Sequence, residues 1–211
     1  MGYSSDVAFS GAVKAAQTRK GSRRAYAEQE AAGGWQTEIS DALRGFIAAQ
    51  TSVFLATASG DGQPYMQHRG GPPGFLRVID SQTLGFVDFS GNRQYITTGN
   101  LAENPKAQLF LIDYAQRRRI KIWGTAKVIE GDGDLVASLM PAGYKARPEQ
   151  VILFTVTAWD VNCPQHIPQR FEAVDVARLL ADRDAKIAAL EAELADLRGQ
   201  IAGLPTQHPT P

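Results

Sequence analysis

One cysteine, Cys163, stands among the 211 residues. An intrachain disulfide is therefore excluded, and the chemistry fits a reducing compartment. No apolar run approaches the roughly 20 residues that span a bilayer. The start, "MGYSSDVAFSGAVKAAQTRKGSRR", lacks the long apolar stretch of a secretory signal. Neither sign of charge dominates, with 22 Lys+Arg against 22 Asp+Glu. That balance argues against a general nucleic-acid binder or an acidic-membrane binder. No Ser-His-Asp set, paired carboxylates or P-loop stands out. These absences predict a soluble cytoplasmic protein without a membrane or nucleic-acid partner.

What is present sorts into zones. Hydrophobic residues make up 44% of the chain, enough for one substantial core plus an appendage. Residues 1–50 read as helical: "GAVKAAQTRKGSRRAYAEQEA", then "TEISDALRGFIAAQ" after Gly33-Gly34, with Thr37 as the expected N-cap. Ile39, Leu43, Phe46 and Ile47 share one helical face that packs on a core. From residue 51 the pattern changes to short β-branched and aromatic runs: "SVFLATAS", "PYMQHR", "GFLRVI", "TLGFVDF", "AQLFLIDY", "RRIKIWGTAKVI" and "VILFTVTAWDV". Turn residues separate most of them. Helical insertions fall in "NRQYITTGNLAENP" and "GDLVASLMPAGY". Such spacing predicts an antiparallel, mainly β domain over 51–171, a small barrel with inserted helices.

Residues 172–204 form a further zone. Val176, Leu180, Arg183, Ile187, Leu190, Leu194, Leu197, Ile201 and Leu204 recur in alternating steps of 4 and 3. Only Arg183 breaks this apolar seam, so a C-terminal coiled-coil helix that self-associates is expected, with amphipathic docking onto the barrel as the competing reading. The remainder, 205–211, reads as a disordered tail.

The chemistry-bearing stretch is "MQHRGGPPGFLRVID". Gly70 and Gly71 lack a Cβ, which allows a flat ligand to approach the backbone. Arg69 adds a fixed guanidinium suited to phosphate or an anionic ring. A plain Gly-Pro loop with a solvated arginine is the competing reading. A second element, "DFSGNRQYITTGNLAENP", runs from a strand through Ser90-Gly91-Asn92-Arg93 into a helix, and such a start can hold an anion. In "QRRRIKIWG", Arg119 and Lys121 share one strand face. Arg117 and Arg118 read as a solvated basic edge.

The order "LATAS-GDGQPY", "HRGGPPGFL", "DFSGNRQ", "LAENP", "LFLIDY", "RRIKIWGTAKV" and "WDVNCPQHIPQRF" resembles the pyridoxamine 5′-phosphate oxidase-like, FMN-binding split-barrel family over roughly residues 37–170. Within that family the chain resembles the subgroup of uncharacterised flavoproteins carrying Arg-Gly-Gly-Pro-Pro-Gly-Phe. The resemblance implies a six- to seven-stranded split barrel and a homodimer with FMN at the subunit interface. It places Gln67, His68, Arg69, Gly70 and Gly71 beside the flavin ring and ribityl chain. Phe89-Ser90 resembles the family's aromatic-hydroxyl pair, and Gly91-Asn92-Arg93-Gln94 its phosphate grip. Asn92 stands where the family has serine and Gln94 where it has lysine, which removes one phosphate charge partner. Arg119 resembles the polar central-strand residue near the ring, and Trp159 and Arg170 the residues that reach the partner's flavin.

An FMN-dependent oxidoreductase is implied, exchanging a hydride with a small organic substrate or a nicotinamide nucleotide. The set that grips substrate phosphate in the vitamin-specific oxidase is not identifiable here. A related barrel using deazaflavin or haem is the alternative, as is a non-catalytic flavin-binding dimeric module. His68 reads as a strand histidine satisfied by a backbone carbonyl, with a proton donor beside a flavin as the alternative. Cys163 reads as a buried structural thiol, because one Cys-His pair falls short of zinc's usual four ligands. Trp123 and Trp159 read as core or interface aromatics.

Overall fold

The computed structural model describes residues 2–202, so the expected tail and Leu204 lie outside the described residues. The chain divides into one unit ending at Ile167 and a second beginning at Pro168.

The first unit is built on one seven-stranded antiparallel sheet. Its strands are β1 Ser52–Ala58, β2 Pro64–Gly70, β3 Arg77–Val78, β4 Thr83–Phe89, β5 Lys106–Asp113, β6 Arg118–Ile129 and β7 Pro148–Asn162. They lie in the order β2-β1-β5-β6-β7-β4-β3, which curls into a split β-barrel. Strand β1 alternates as expected of a barrel wall: Val53 and Leu55 point into the core, Phe54 and Ala56 outward. Opposite them, Leu109 and Leu111 of β5, Ile120 and Ile122 of β6, and Phe154 and Val156 of β7 complete the interior.

The two longest strands must bend to close this wall. The β6–β7 register shifts between Trp123 and Gly124. A Cβ on Gly124 would lie 2.0 Å from the Thr155 carbonyl oxygen, so only glycine permits the close crossing there.

Helices plug and flank the barrel: α1 Gly11–Lys20, α2 Arg23–Ala31, α3 Asp41–Ala48, α4 Ile96–Glu103 and α5 Gly133–Leu139. The expected first helix is divided, because α1 ends at Gly21, whose N–H bonds to the Gln17 and Thr18 carbonyls. Helix α3 begins later than the sequence predicts. Its N-cap is Ser40, whose hydroxyl accepts from the Leu43 N–H at 3.3 Å. Thr37 is excluded from that role because the sheet has claimed the preceding backbone: the Trp159 N–H donates to the Gln36 carbonyl and the Ile39 N–H to that of Ser81. Leu43, Phe46 and Ile47 then close one barrel end.

The second unit carries α6, Ala173–Ala202, a single 30-residue helix. Among the described residues, no helix is long and apolar enough to cross a membrane.

Candidate functional site

The alternation of β2 separates two sets of side chains. Tyr65, Gln67 and Arg69 are half-buried, while Met66 and His68 between them are exposed. The first set lines a cleft of about 230 Å³ with Asp88 and Phe89 at the end of β4, the 91–95 loop, the start of α4, and Glu149 and Gln150 of β7. Gln67, Arg69, Phe89, Asn92, Arg93 and Gln94 therefore meet in one place, although β2 and the loop are some 20 residues apart in sequence.

The floor of the cleft is a buried polar network. The Arg69 Nε lies 3.1 Å from Asp88 Oδ1, with both side chains largely out of solvent. Those atoms are close enough to pair as ions, yet Nε is not aligned for a hydrogen bond and has no hydrogen-bond partner. A second guanidinium nitrogen reaches Asp88 and the Thr97 hydroxyl only at 3.5 Å. Asp88 is held more firmly by Gln150, whose Nε2 donates to Oδ2 at 2.9 Å and to the Thr98 hydroxyl at 3.0 Å. The β4–β7 register sets Asp88 directly opposite Gln150.

The rim is built differently. Arg93 and Tyr95 both adopt left-handed backbone, with φ 60° and 55°. Non-glycine residues there cost about 1–3 kcal/mol each and gather at binding loops. Arg93 Nε donates to the Tyr95 hydroxyl at 2.9 Å, and that hydroxyl donates to Glu149 at 2.6 Å. Glu149 also lies 3.8 Å from Arg93. The hydrogen bond to Tyr95 raises the guanidinium's pKa further above its ordinary value, so Arg93 is a permanent cation. Gln94 N–H and the Asn92 carboxamide close a small turn at 3.3 Å. Tyr95 is the N-cap of α4, and no side chain caps that helix end.

A smaller cleft of about 150 Å³ shares Arg69, Asp88 and Phe89 with the first, and adds His68, Gly70, Phe75, Phe86 and Val87. His68 is satisfied by the Ser52 hydroxyl at 2.7 Å rather than by a carbonyl. The Gly70-Gly71 pair has a packing explanation. A Cβ on Gly71 would fall 2.6 Å from that of Phe75, and the Gly71 N–H already donates to the Thr51 carbonyl. The Pro72-Pro73-Gly74 turn swings Phe75 and Leu76 into the core, which shortens β3 to two residues.

Several expected residues lie elsewhere. Ser90 borders neither cleft, and its N–H donates to the Arg147 carbonyl. Arg119 sits on β6 opposite Ile112 and Asn162. Trp159 is buried, its indole N–H donating to the Glu38 carbonyl at 2.8 Å. Arg170 belongs to the second unit. Cys163 is exposed, correcting the expectation of a buried thiol: it follows the last residue of β7, where the chain has left the barrel. Trp123 stacks on Trp35 at 4.7 Å. Among the described residues, no group of three His, Cys, Asp or Glu could hold a metal ion.

Asp88, Tyr95, Thr97, Glu149 and Gln150 were not singled out from the sequence. Asp88 alone carried a signal, an acid set within the apolar run "TLGFVDF".

Fold and cleft together define a split-barrel protein with a polar, two-arginine pocket. Residues 39–163 match the family model described as pyridoxamine 5′-phosphate oxidase, and the chain belongs to that family. Similar solved structures include HupZ of Group A Streptococcus, at 18% identity and TM-score 0.49, covering 63% of this chain and 99% of that one. An FMN-binding protein from Syntrophomonas wolfei subsp. wolfei gives 14%, 0.45, 57% and 83% in the same order. A protein related to general stress protein 26, of the pyridoxinephosphate oxidase family, from Clostridium acetobutylicum gives 14%, 0.43, 63% and 92%. Among curated proteins, none matches the chain.

Proposed function

We propose that the cleft binds FMN and that the protein is a cytoplasmic, homodimeric oxidoreductase. One observation carries this reading: Gln67, Arg69, Asn92, Arg93 and Gln94 converge on one cleft in a chain of this family. The donor chemistry fits a phosphorylated cofactor. Arg69 lies on the floor with its guanidinium paired to Asp88, and Arg93 stands at the mouth as an exposed cation. The Asn92 and Gln94 carboxamides and the uncapped start of α4 add neutral donors suited to phosphate oxygens.

The acids set the limits of the site. Two arginines and two carboxylates line the cleft, so its formal charge is zero. Asp88 and Gln150 lock Arg69 in place as a floor, whereas Glu149 holds Arg93 only through exposed contacts. An arriving phosphate therefore competes with Glu149 for Arg93 and leaves the floor undisturbed. Gln67, placed by the Thr97 hydroxyl at 3.3 Å, is the polar group best positioned to meet the cofactor beyond its phosphate. When bound, FMN supplies hydride exchange with a small organic substrate or nicotinamide nucleotide. The chain's own part is to anchor, orient and shield.

Purification tests this directly. A yellow protein with a flavin spectrum that bleaches on reduction, releasing a ligand of FMN mass, is expected. A colourless protein that rejects added FMN overturns the proposal. A released deazaflavin or haem would keep the cleft and replace the cofactor.

A further inference from the structure

Helix α6 presents to solvent an apolar seam that only Arg183 interrupts. Val176, Leu180, Ile187, Leu190, Leu194, Leu197 and Ile201 are each 41–68% exposed. A long helix gains most of its stability by burying such a face, so this one needs a partner. The steps of 4 and 3 assign Leu180, Ile187, Leu194 and Ile201 to heptad position a, and Val176, Arg183, Leu190 and Leu197 to position d. Lys186 and Glu193 then occupy g, and Asp184, Glu191 and Arg198 occupy e.

Those flanks decide what covers the seam. In a parallel, in-register pair each g residue meets the e residue five positions on in the other helix. Lys186 then meets Glu191, and Glu193 meets Arg198, each twice by symmetry; these charged pairs are attractive, while Leu179 meets Asp184. Arg183 sits at d, where the facing hole includes the partner's e position, and that residue is Asp184. The one polar interruption of the seam is thereby matched by an acid in this arrangement. In the antiparallel register that aligns the apolar layers (Ile187 on Leu190, Leu180 on Leu197), Lys186 meets Glu193 favourably. Asp184 then faces Glu191, acid on acid, and Arg183 is set against Leu194. Within α6 the ion pair among the described residues is Arg178–Asp175, on the outer flank, so the e and g charges are not spent on each other.

We infer that α6 forms a parallel, in-register two-stranded coiled coil with a second copy of this chain, its register fixed by Arg183 against the partner's Asp184. A single polar residue in such a seam is a recognised register device, and its cost is offset only when the pairing is correct.

The experiment uses the full chain with Cys163→Ser as background, so that an introduced cysteine is the only thiol. Leu190→Cys and Leu197→Cys are made separately, with Ala192→Cys on the outer face as control, and mild oxidation is followed on non-reducing gels. Both d-position variants should form covalent dimers while the control stays monomeric on the gel. Adding Lys186→Glu turns two attractive pairs repulsive and should weaken coil association about tenfold. Adding Glu191→Lys to that variant should restore it. Absence of crosslinking at both d positions overturns the inference. So does crosslinking of the control to the same extent, which marks random collision. A covalent dimer obtained only with Leu180→Cys and Leu197→Cys combined also overturns it, in favour of antiparallel pairing.

Discussion

Two arginine–carboxylate pairs share the cleft, and they differ in almost everything except residue type. Arg69–Asp88 is largely buried, cross-linked by Gln150 and built on facing strands. Arg93–Glu149 is looser, exposed on the arginine side and built on a loop with left-handed backbone. Burial decides the role of each. A buried pair is strongly destabilised when one member is removed, while an exposed pair is worth on the order of 0–1 kcal/mol and can be exchanged for a ligand. The floor thus shapes the cleft, and in the proposed function the rim is the part that recognises what enters it.

Substitutions can break that contrast. Asp88→Ala strands the Arg69 charge in a buried site and should cost about 3 kcal/mol of stability in chemical denaturation. A loss no greater than that of a surface substitution would mean that the floor is solvated. Arg93→Ala should leave stability within about 0.5 kcal/mol. Its FMN affinity should nevertheless fall about tenfold or more, because a charge-assisted hydrogen bond is lost. Equal effects of the two variants on stability would erase the distinction. The smallest change is expected from Glu149→Gln, which removes a competitor for Arg93 and should tighten FMN binding about threefold. Weaker binding in that variant would show that Glu149 positions Arg93 rather than competes for it.

The legible and illegible parts of the chain divide along the same line. Strand alternation was readable where one face alone is buried; "SVFLATAS" and "AQLFLIDY" gave β1 and β5 almost to the residue. The seam of α6 was readable from its steps of 4 and 3 alone, its period being written in Leu and Ile. Caps and breaks were less so: the sheet's claim on residues 36–39, which moved the α3 start to Ser40, is a tertiary effect invisible locally. The cations of the cleft could be named because arginine beside glycine is conspicuous. Their surroundings were harder to read, since Glu149 and Gln150 reach the site only through the β4–β7 pairing, about 60 residues away in sequence. The Gly70-Gly71 signal had another origin, for Phe75 uses the space that Gly71 leaves.

The central claim is that the rim holds a phosphate. It is tested most directly by titrating ligand-free protein with FMN and with riboflavin, which shares the ring but lacks the phosphate. FMN should bind at least about tenfold more tightly, the equivalent of one charge-assisted hydrogen bond, and the Arg93→Ala variant should lose that preference. Equal affinity for the two ligands, unchanged by Arg93→Ala, would contradict the account.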